Sequence, residues 1–540
     1  MTGRAIISTI LYFYLGLVSS FAQNDSITYH TNLYLLTSNN SFQPHWQVSN
    51  RYGVFDRSKK TEVVGLIGFA YNYNFGKKFK AVTEVELNIK SDFSNSYFQQ
   101  LYLNLFYGSL QLKVGKEAYT IGQYSEDLSS GSLFISNNSR PLPRIGIGFY
   151  NYTAIPLIKK YVEFKGAMNF GILDDDRSDN NGTDKPWYHE KYFYLRTKSL
   201  LVNLHAGINH SALFGGTRSN GVKIETDFLA TFFGRGSTKV GGGEETNVAG
   251  AHFGVYDFGL NWRIKETNYQ LYYQVPFADD GGMKLFGNKD LMIGALVDID
   301  NGKIIKSINY EYINTMYQGD AGMPDIYFNG KLIDLLKVED VDQFMSIHFD
   351  TITAGFTAHE LKKYAEDQLN YGYKVNGRDD YYNNGLYPKG QSYNNYALGP
   401  SLIYSKSDVN NFNPDFNDRY DKFFVSNRII AHHLAFEGFF GTNLSYRTKL
   451  TYSNNYGSYA GANKGRQNWA SRDDPEYYNS YYFKDGLKQA YTFFELSYTP
   501  FVNKGAKFTS SIAYDFGEMY HNFGVLFGFS YNGFFSIKKK

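Results

Sequence analysis

The chain has 540 residues, 54 basic and 52 acidic side chains for a net charge of +2, no cysteine, and 49 Tyr and 45 Phe against 4 Trp. This composition excludes a disulfide scaffold, a thiolate metal site, a Cys nucleophile and a Cys-linked lipid anchor. It gives no strong field for nucleic acid, and it is too aromatic for a disordered chain. Length alone suggests several soluble domains.

Residues 1–22 read MTGRAIISTILYFYLGLVSSFA. Arg4 precedes a short apolar run, and Ser20 and Ala22 place small residues at the −3 and −1 positions of a cleavage site. This is the layout of a secretory signal peptide, so residues 23–540 are expected to form the mature domain. From there the hydrophobic period is two. In residues 81–89, Ala81, Thr83, Val85, Leu87 and Ile89 share one face, and Glu84, Glu86 and Asn88 share the other. Residues 101–107, 200–209, 304–312 and 508–516 alternate similarly. In residues 443–453, Leu444, Tyr446, Thr448, Leu450 and Tyr452 oppose a face that carries Arg447 and Lys449. In residues 523–531, Leu526 alone breaks the alternation. Such a period defines strands with two unlike faces.

A soluble sandwich and a membrane barrel both produce it. The signal peptide, strands of barrel-spanning length and rings crowded at strand ends (Phe69, Tyr71, Tyr73, Phe75) favour the barrel. Arg447 and Lys449 would need partners in a dry core but not in a wet lumen. The fold class is therefore all-β, a transmembrane antiparallel outer-membrane β-barrel of about 16 to 20 strands. Short turns such as residues 74–78 and 108–109 alternate with long polar segments, including 174–186, 319–343, 364–395, 405–421 and 461–489. Two stretches lack the period. Residues 119–143 are irregular, and residues 358–368 (AHELKKYAEDQ) read as a helix. Either is available to lie inside the lumen.

Little in the chain resembles catalytic machinery. His205 and His210 are five residues apart on one strand, and His432 and His433 are adjacent, so each pair points to opposite faces. No HExxH or GxSxG motif occurs. The Gly-rich residues 234–245 lack the Walker lysine spacing. No metal, cofactor or enzymatic activity is expected. Two aromatic, amide-rich segments stand out: RDDYYNNGLYP at residues 378–388 and TYSNNYGSYA at 451–460. Rings pack on the C–H faces of sugars, while amides, carboxylates and guanidinium bond hydroxyls. Arg378, Asp379, Asp380, Tyr381, Tyr382, Asn383, Tyr387, Tyr456 and Tyr459 are thus candidate sugar contacts. Interfacial anchoring and loop packing explain the same composition equally well.

Several ordered segments resemble the Wzi family of capsule-assembly outer-membrane proteins. They are SGSLFISNNSRPLPRIGIGF (130–149), LHAGINHSALFGG (204–216), INYEYINTMYQ (308–318), GRDDYYNNGLYPKGQSYNNYALGPSLI (377–403), NRIIAHHLAFEG (427–438) and LTYSNNYGSY (450–459). The resemblance implies about 18 strands, a helical element blocking the lumen, and a lectin that holds capsular or exopolysaccharide at the cell surface. It marks Arg140, Pro141, His205, His210, Gly215, Gly216, Glu311, Thr315, Gln318, Asp379, Tyr381, Tyr382, Asn383, Arg428, His432 and His433 as family-pattern positions, several of them expected to order the lumen. Glu311 falls on a polar face with Ser307 and Asn309. Two departures stand out: Gln391, Ser392 and Tyr393 lie where a Trp is expected, and the tail runs past Phe535 into three lysines. The expected partners are polysaccharide, outer-membrane lipid, periplasmic chaperones and the barrel-assembly machinery, with a monomeric barrel. The alternative function is a diffusion channel for small solutes.

Overall fold

The computed structural model describes residues 25–537 except 77, 178–181, 241–247, 279–287, 320–326, 329–330, 333–379, 417–421, 459–460, 462–479, 485 and 501–504. The signal-peptide segment and the helix expected at 358–368 lie outside the described residues.

Eighteen strands form one antiparallel sheet. They are β1 (Asp25–Ser38), β2 (Thr61–Asn74), β3 (Phe79–Lys90), β4 (Tyr97–Tyr107), β5 (Leu110–Lys116) and β6 (Pro143–Ala154). Next come β7 (Val162–Ile172), β8 (Trp187–Thr197), β9 (Val202–Phe214), β10 (Ala251–Ile264), β11 (Thr267–Phe277) and β12 (Leu291–Ile299). The last six are β13 (Ser307–Asn314), β14 (Ile429–Phe439), β15 (Leu444–Asn455), β16 (Leu487–Tyr498), β17 (Ala506–Gly517) and β18 (Asn522–Ile537). Each strand pairs with its sequence neighbours, and β1 pairs with β18 from Asp25↔Ile537 to Ser38↔Gly524, which closes the barrel and removes both edges. The strands alternate as their sequences require. On β1, Leu33 and Leu35 are exposed while Leu36 is buried. The exception at Leu526 has a physical reason: it is fully buried, pointing inward beside Val48 and Leu36.

Connections of two to seven residues and the described first and last strand ends lie at one end of the barrel; the short turns 91–96 and 518–521 lie at the other. The long connections leave that other end. At the short-turn end, rings line the outer face in close pairs: Tyr29 and Phe535 at 5.2 Å, Phe79 and Tyr107 at 4.8 Å, and Trp262 and Tyr269 at 5.4 Å with planes 8° apart. These are the amphipathic rings of a membrane interface.

The main apolar core is inside the barrel. Three connections turn inward from the long-loop end: residues 39–60, residues 117–142, and residues 380–416 with 422–427. The first carries α1 (His45–Val48), every residue of which is buried. Trp46 donates from Nε1 to Thr451 Oγ1 at 2.9 Å, and the His45 amide donates to Asp515 Oδ2 at 2.6 Å. Burial, helped by the nearby Arg57 and Lys449 charges, holds the His45 imidazole well below its usual range, so it stays neutral. In the second segment, Ser129 Oγ and Ser130 Oγ each donate to Glu311 at 2.5 Å, and the Ser130 amide donates at 2.8 Å. Tyr272 donates to the same carboxylate at 2.5 Å. The Leu133 amide donates to Gln274 at 2.9 Å, and His433 Nε2 lies 2.7 Å from the Leu128 carbonyl. The irregular composition of residues 119–143 is thereby explained: its polar groups bond the inward faces of strands instead of a ladder.

The charged inner face departs from a uniformly wet lumen. Lys449 is buried with its ammonium 4.7 Å from the Trp46 ring, because α1 covers it. Arg447 instead meets Asp127 at 2.7 Å and Glu495 at 3.4 Å in a cavity of about 270 Å³, also lined by Lys306, Glu437 and Lys507.

Candidate functional site

At the long-loop end the inward segments meet the loop after β7. A polar groove of about 530 Å³ opens there, lined by Arg140, Asp175, Asp176, Lys389, Asn394 and Lys422 among others. Its walls are locally determined. Ser392–Tyr393 pairs with Tyr396–Ala397, joined by Asn394 and Asn395 at φ +50° and +67°. Two successive left-handed residues make a tight hairpin turn, and Asn tolerates that conformation best among residues with a Cβ. The Asn394 amide donates to Asp175 Oδ2 at 3.0 Å, and Arg140 Nη1 donates to Asn394 Oδ1 at 3.3 Å. Arg140 also lies 3.7 Å from the Tyr97 ring centroid.

Arg177 is the buried clamp beneath the groove. Its Nε meets Asp175 at 2.8 Å, Nη1 donates to the Gly390 carbonyl at 3.3 Å, and Nη2 donates to the Ser392 carbonyl. The far wall is α3 (Lys406–Phe412), which starts at a capping box: Ser405 Oγ accepts from the Asp408 amide, and Asp408 accepts from the Ser405 amide. Arg57 pairs with Asp408 at 3.1 Å, tying this helix to the first interior segment. The groove thus presents lysines, carboxylates, side-chain amides and the Phe423 ring on a braced frame. That mixture bonds hydroxyls and packs on a sugar ring.

The candidate sugar contacts fall differently. Arg378, Asp379 and Tyr459 lie outside the described residues. Asp380, Tyr381, Tyr382 and Tyr387 are buried, a correction to their expected place on an outward surface. Asn427 donates to Asp380 at 2.7 Å and to the Tyr381 carbonyl at 2.8 Å. Tyr382 donates to the Leu133 carbonyl at 2.7 Å, and Tyr387 donates to the Gly215 carbonyl at 3.2 Å. Burial drives these rings into the interior core and pushes the Asp380 carboxyl upward from its usual range. Asn383 is half-buried and exchanges hydrogen bonds with the Phe424 backbone at 2.8 and 3.0 Å. Tyr456 is half-buried and accepts from Asn454 at 2.6 Å. Truncating Tyr381 or Tyr382 to Ala is therefore expected to cost about 3–5 kcal/mol of stability, read as a lowered thermal transition in detergent.

The family-pattern positions divide by face. Glu311, His205 and His433 point inward, and His205 lies 3.6 Å from Asp257. Gln318 accepts from the Tyr381 amide at 3.0 Å and donates to the Asn427 carbonyl at 2.9 Å, while Thr315 donates to the same carbonyl at 2.7 Å. Arg428 donates to the Met316 carbonyl at 3.3 Å. His210 and His432 face outward, a correction for any lumen role. Strand alternation requires it, because His205 and His433 already point in. His432 accordingly sits 2.8 Å from the Tyr310 hydroxyl, itself on the outer face.

Asp290, just before β12, holds the start of the longest connection by accepting from the Tyr317 and Gly319 amides at 2.8 and 3.2 Å. Burial outweighs those hydrogen bonds and pushes its carboxyl up to about 7. A raised carboxyl binds its proton more tightly folded than unfolded. Its stabilising contribution is complete below about pH 4 and is lost as pH rises through about 7. Thermal unfolding of Asp290→Asn is expected to lose that slope.

Among the described residues, His30, Glu84 and Glu86 bring three ligand atoms within 4.8 Å of one another. Hydrogen bonds already engage them: His30 with Glu86 at 2.5 Å, and Tyr102 with Glu84 at 2.7 Å. Sequence reasoning missed Asp175, Asp176, Arg177, Lys389, Lys406 and Lys422. The left-handed Asn-Asn pair between two tyrosines was the available signal for the groove.

Fold and site define an outer-membrane β-barrel with its own chain packed inside and a polar groove at the long-loop end. Residues 41–301 match the family model described as capsule assembly protein Wzi. A solved structure of Wzi from Escherichia coli, described as a carbohydrate-binding β-barrel involved in group 1 capsule assembly, is similar at 11% identity. The alignment covers 97% of this chain and 87% of that one, with a TM-score of 0.50. OccK5 (OpdH) of Pseudomonas aeruginosa aligns at 11% identity over 95% of this chain and 98% of its own, with a TM-score of 0.43. No curated protein matches the chain.

Proposed function

We propose that the protein binds capsular or exopolysaccharide at the outer surface and anchors it there, as a non-enzymatic lectin in capsule assembly. The observation that carries this reading is the placement of the groove. Lysines, carboxylates and the Asn394–Asn395 turn face outward over a lumen occupied by hydrogen-bonded interior segments. The match to the Wzi family over residues 41–301 supports it. On this reading the chain is exported by removal of residues 1–22. It is inserted as one barrel domain through periplasmic chaperones and the barrel-assembly machinery, and it works as a monomer in lipid.

The test is binding of the cell's own polysaccharide to the purified barrel, paired with conductance in planar bilayers. Saturable binding with no steady current is expected. A steady open-channel current without glycan binding would instead establish the diffusion channel.

A further inference from the structure

Pairing register draws one horizontal row across the barrel's outer face: Ile147, Met168, Lys191, His210 and Gly254 on β6 to β10. Ile147 and Met168 are 47% and 42% exposed, as lipid-facing side chains should be. Lys191 therefore carries its charge on the membrane side. The next row toward the long-loop end runs Ile145, Phe170, His189, Ala212 and His252. Three imidazoles and one ammonium thus cluster on a face where alternation calls for apolar residues.

A short helix, α2 (Phe228–Phe233), lies over the cluster. Phe232 stacks on His189 with ring centroids 5.2 Å apart. The Lys191 ammonium donates to the Phe232 carbonyl and lies 3.8 Å from its ring centroid. Leu229 and Phe233 stay exposed beyond it. His210 Nε2 sits 2.9 Å from His252 Nδ1, and His252 Nε2 sits 2.9 Å from the Ala249 carbonyl. His189 is fully buried, yet among the described residues neither of its ring nitrogens has a hydrogen-bond partner, and His210 Nδ1 has none either.

Directly toward the membrane centre the surface is hollow. Gly166 faces outward without a side chain, between Phe164, Met168 and Phe193. The resulting groove of about 460 Å³ ends at Lys191 and His210. An apolar channel whose head carries the Lys191 ammonium and the His210 imidazole matches an amphiphile with an anionic headgroup. A charge on the lipid face is tolerated near the interface, where such headgroups lie.

We propose that this exterior groove is a binding site for one outer-leaflet lipid with a phosphorylated headgroup. An acyl chain lies over Gly166, and the phosphate is held by Lys191 with the His210 imidazole at the edge of α2. The site is separate from the polysaccharide groove, and neither reading depends on the other.

The test is native mass spectrometry of the full-length purified barrel, delipidated in mild detergent. It is titrated with bis-phosphorylated lipid A, with dephosphorylated lipid A, and with inorganic phosphate. One tightly held lipid per barrel is expected, with the phosphorylated form preferred by about tenfold, since charge-assisted phosphate bonds set the difference. Lys191→Gln should erase that preference. Gly166→Leu, which fills the groove, should weaken both lipids while heat-modifiable electrophoretic mobility shows a folded barrel. If Lys191→Gln does not fold, Gly166→Leu decides alone. Equal affinity for the two lipids, native affinity in Gly166→Leu, or displacement of lipid by inorganic phosphate at equal concentration would overturn the proposal.

Discussion

Replacing Glu311 with alanine is expected to cost about 3–5 kcal/mol and to loosen the interior of the barrel, because it strips a buried acceptor from several donors at once. Ser129, Ser130 and Tyr272 converge on this one carboxylate, and Glu311 is itself fully buried on β13. Without it, two seryl hydroxyls and a backbone amide lose their acceptor, and the Tyr272 phenol keeps only Asn309 Oδ1 at 3.0 Å. The barrel ladder does not depend on Glu311, so assembly and heat-modifiable mobility should survive. The thermal transition should fall, and planar bilayers should show current bursts that the parent protein lacks. Glu311→Gln should fall between the two, since its amide keeps one acceptor oxygen and adds donors where only acceptors are useful. A variant as stable and as silent as the parent would show that residues 129–130 are held by other contacts.

The second large effect is expected at Arg177. Its guanidinium is buried against Asp175, and it bonds the carbonyls of Gly390 and Ser392 that frame the hairpin turn. Arg177→Met leaves Asp175 buried without its cation and frees both carbonyls, a local loss of about 3–5 kcal/mol. The groove wall should become mobile while the strands stay intact. Polysaccharide binding should drop by tenfold or more, on the order of the 1.4 kcal/mol that tenfold represents, with far-UV circular dichroism unchanged. Adding Asp175→Asn to Arg177→Met should recover part of the stability but not the binding, because it removes the stranded charge without restoring the clamp. Additive losses in that double mutant would mean that the two side chains act independently.

The periodicity of the strands was legible because a barrel strand is decided two residues at a time. Residues 81–89 and 443–453 each present one face to lipid and one to the interior, and that alternation is written locally. The site was legible only in part. The segment from Asp380 to Tyr387 has the composition of a sugar-binding loop, yet its rings are interior packing. Composition is the same for a ring that meets a sugar and for a ring that fills a core. What separates them is which carbonyl lies within reach, such as that of Leu133 for Tyr382. The groove was not legible, because Arg140, Asp175, Lys389 and Lys422 come from three distant stretches of chain.

By itself the sequence determined the class of fold: a polar average hiding alternating strands, rings at strand ends, and long polar segments between strands. These are short-range properties, and the physics behind them is the choice between lipid and water at each residue. The tertiary structure alone decided which aromatic residues are buried, that residues 39–60, 117–142, 380–416 and 422–427 meet inside the barrel, and that Glu311 and Arg177 hold them. Those outcomes depend on desolvation and on hydrogen-bond partners hundreds of residues away, which no local pattern encodes. The Tyr and Phe excess that marks the composition is thereby divided between a membrane interface and an interior core.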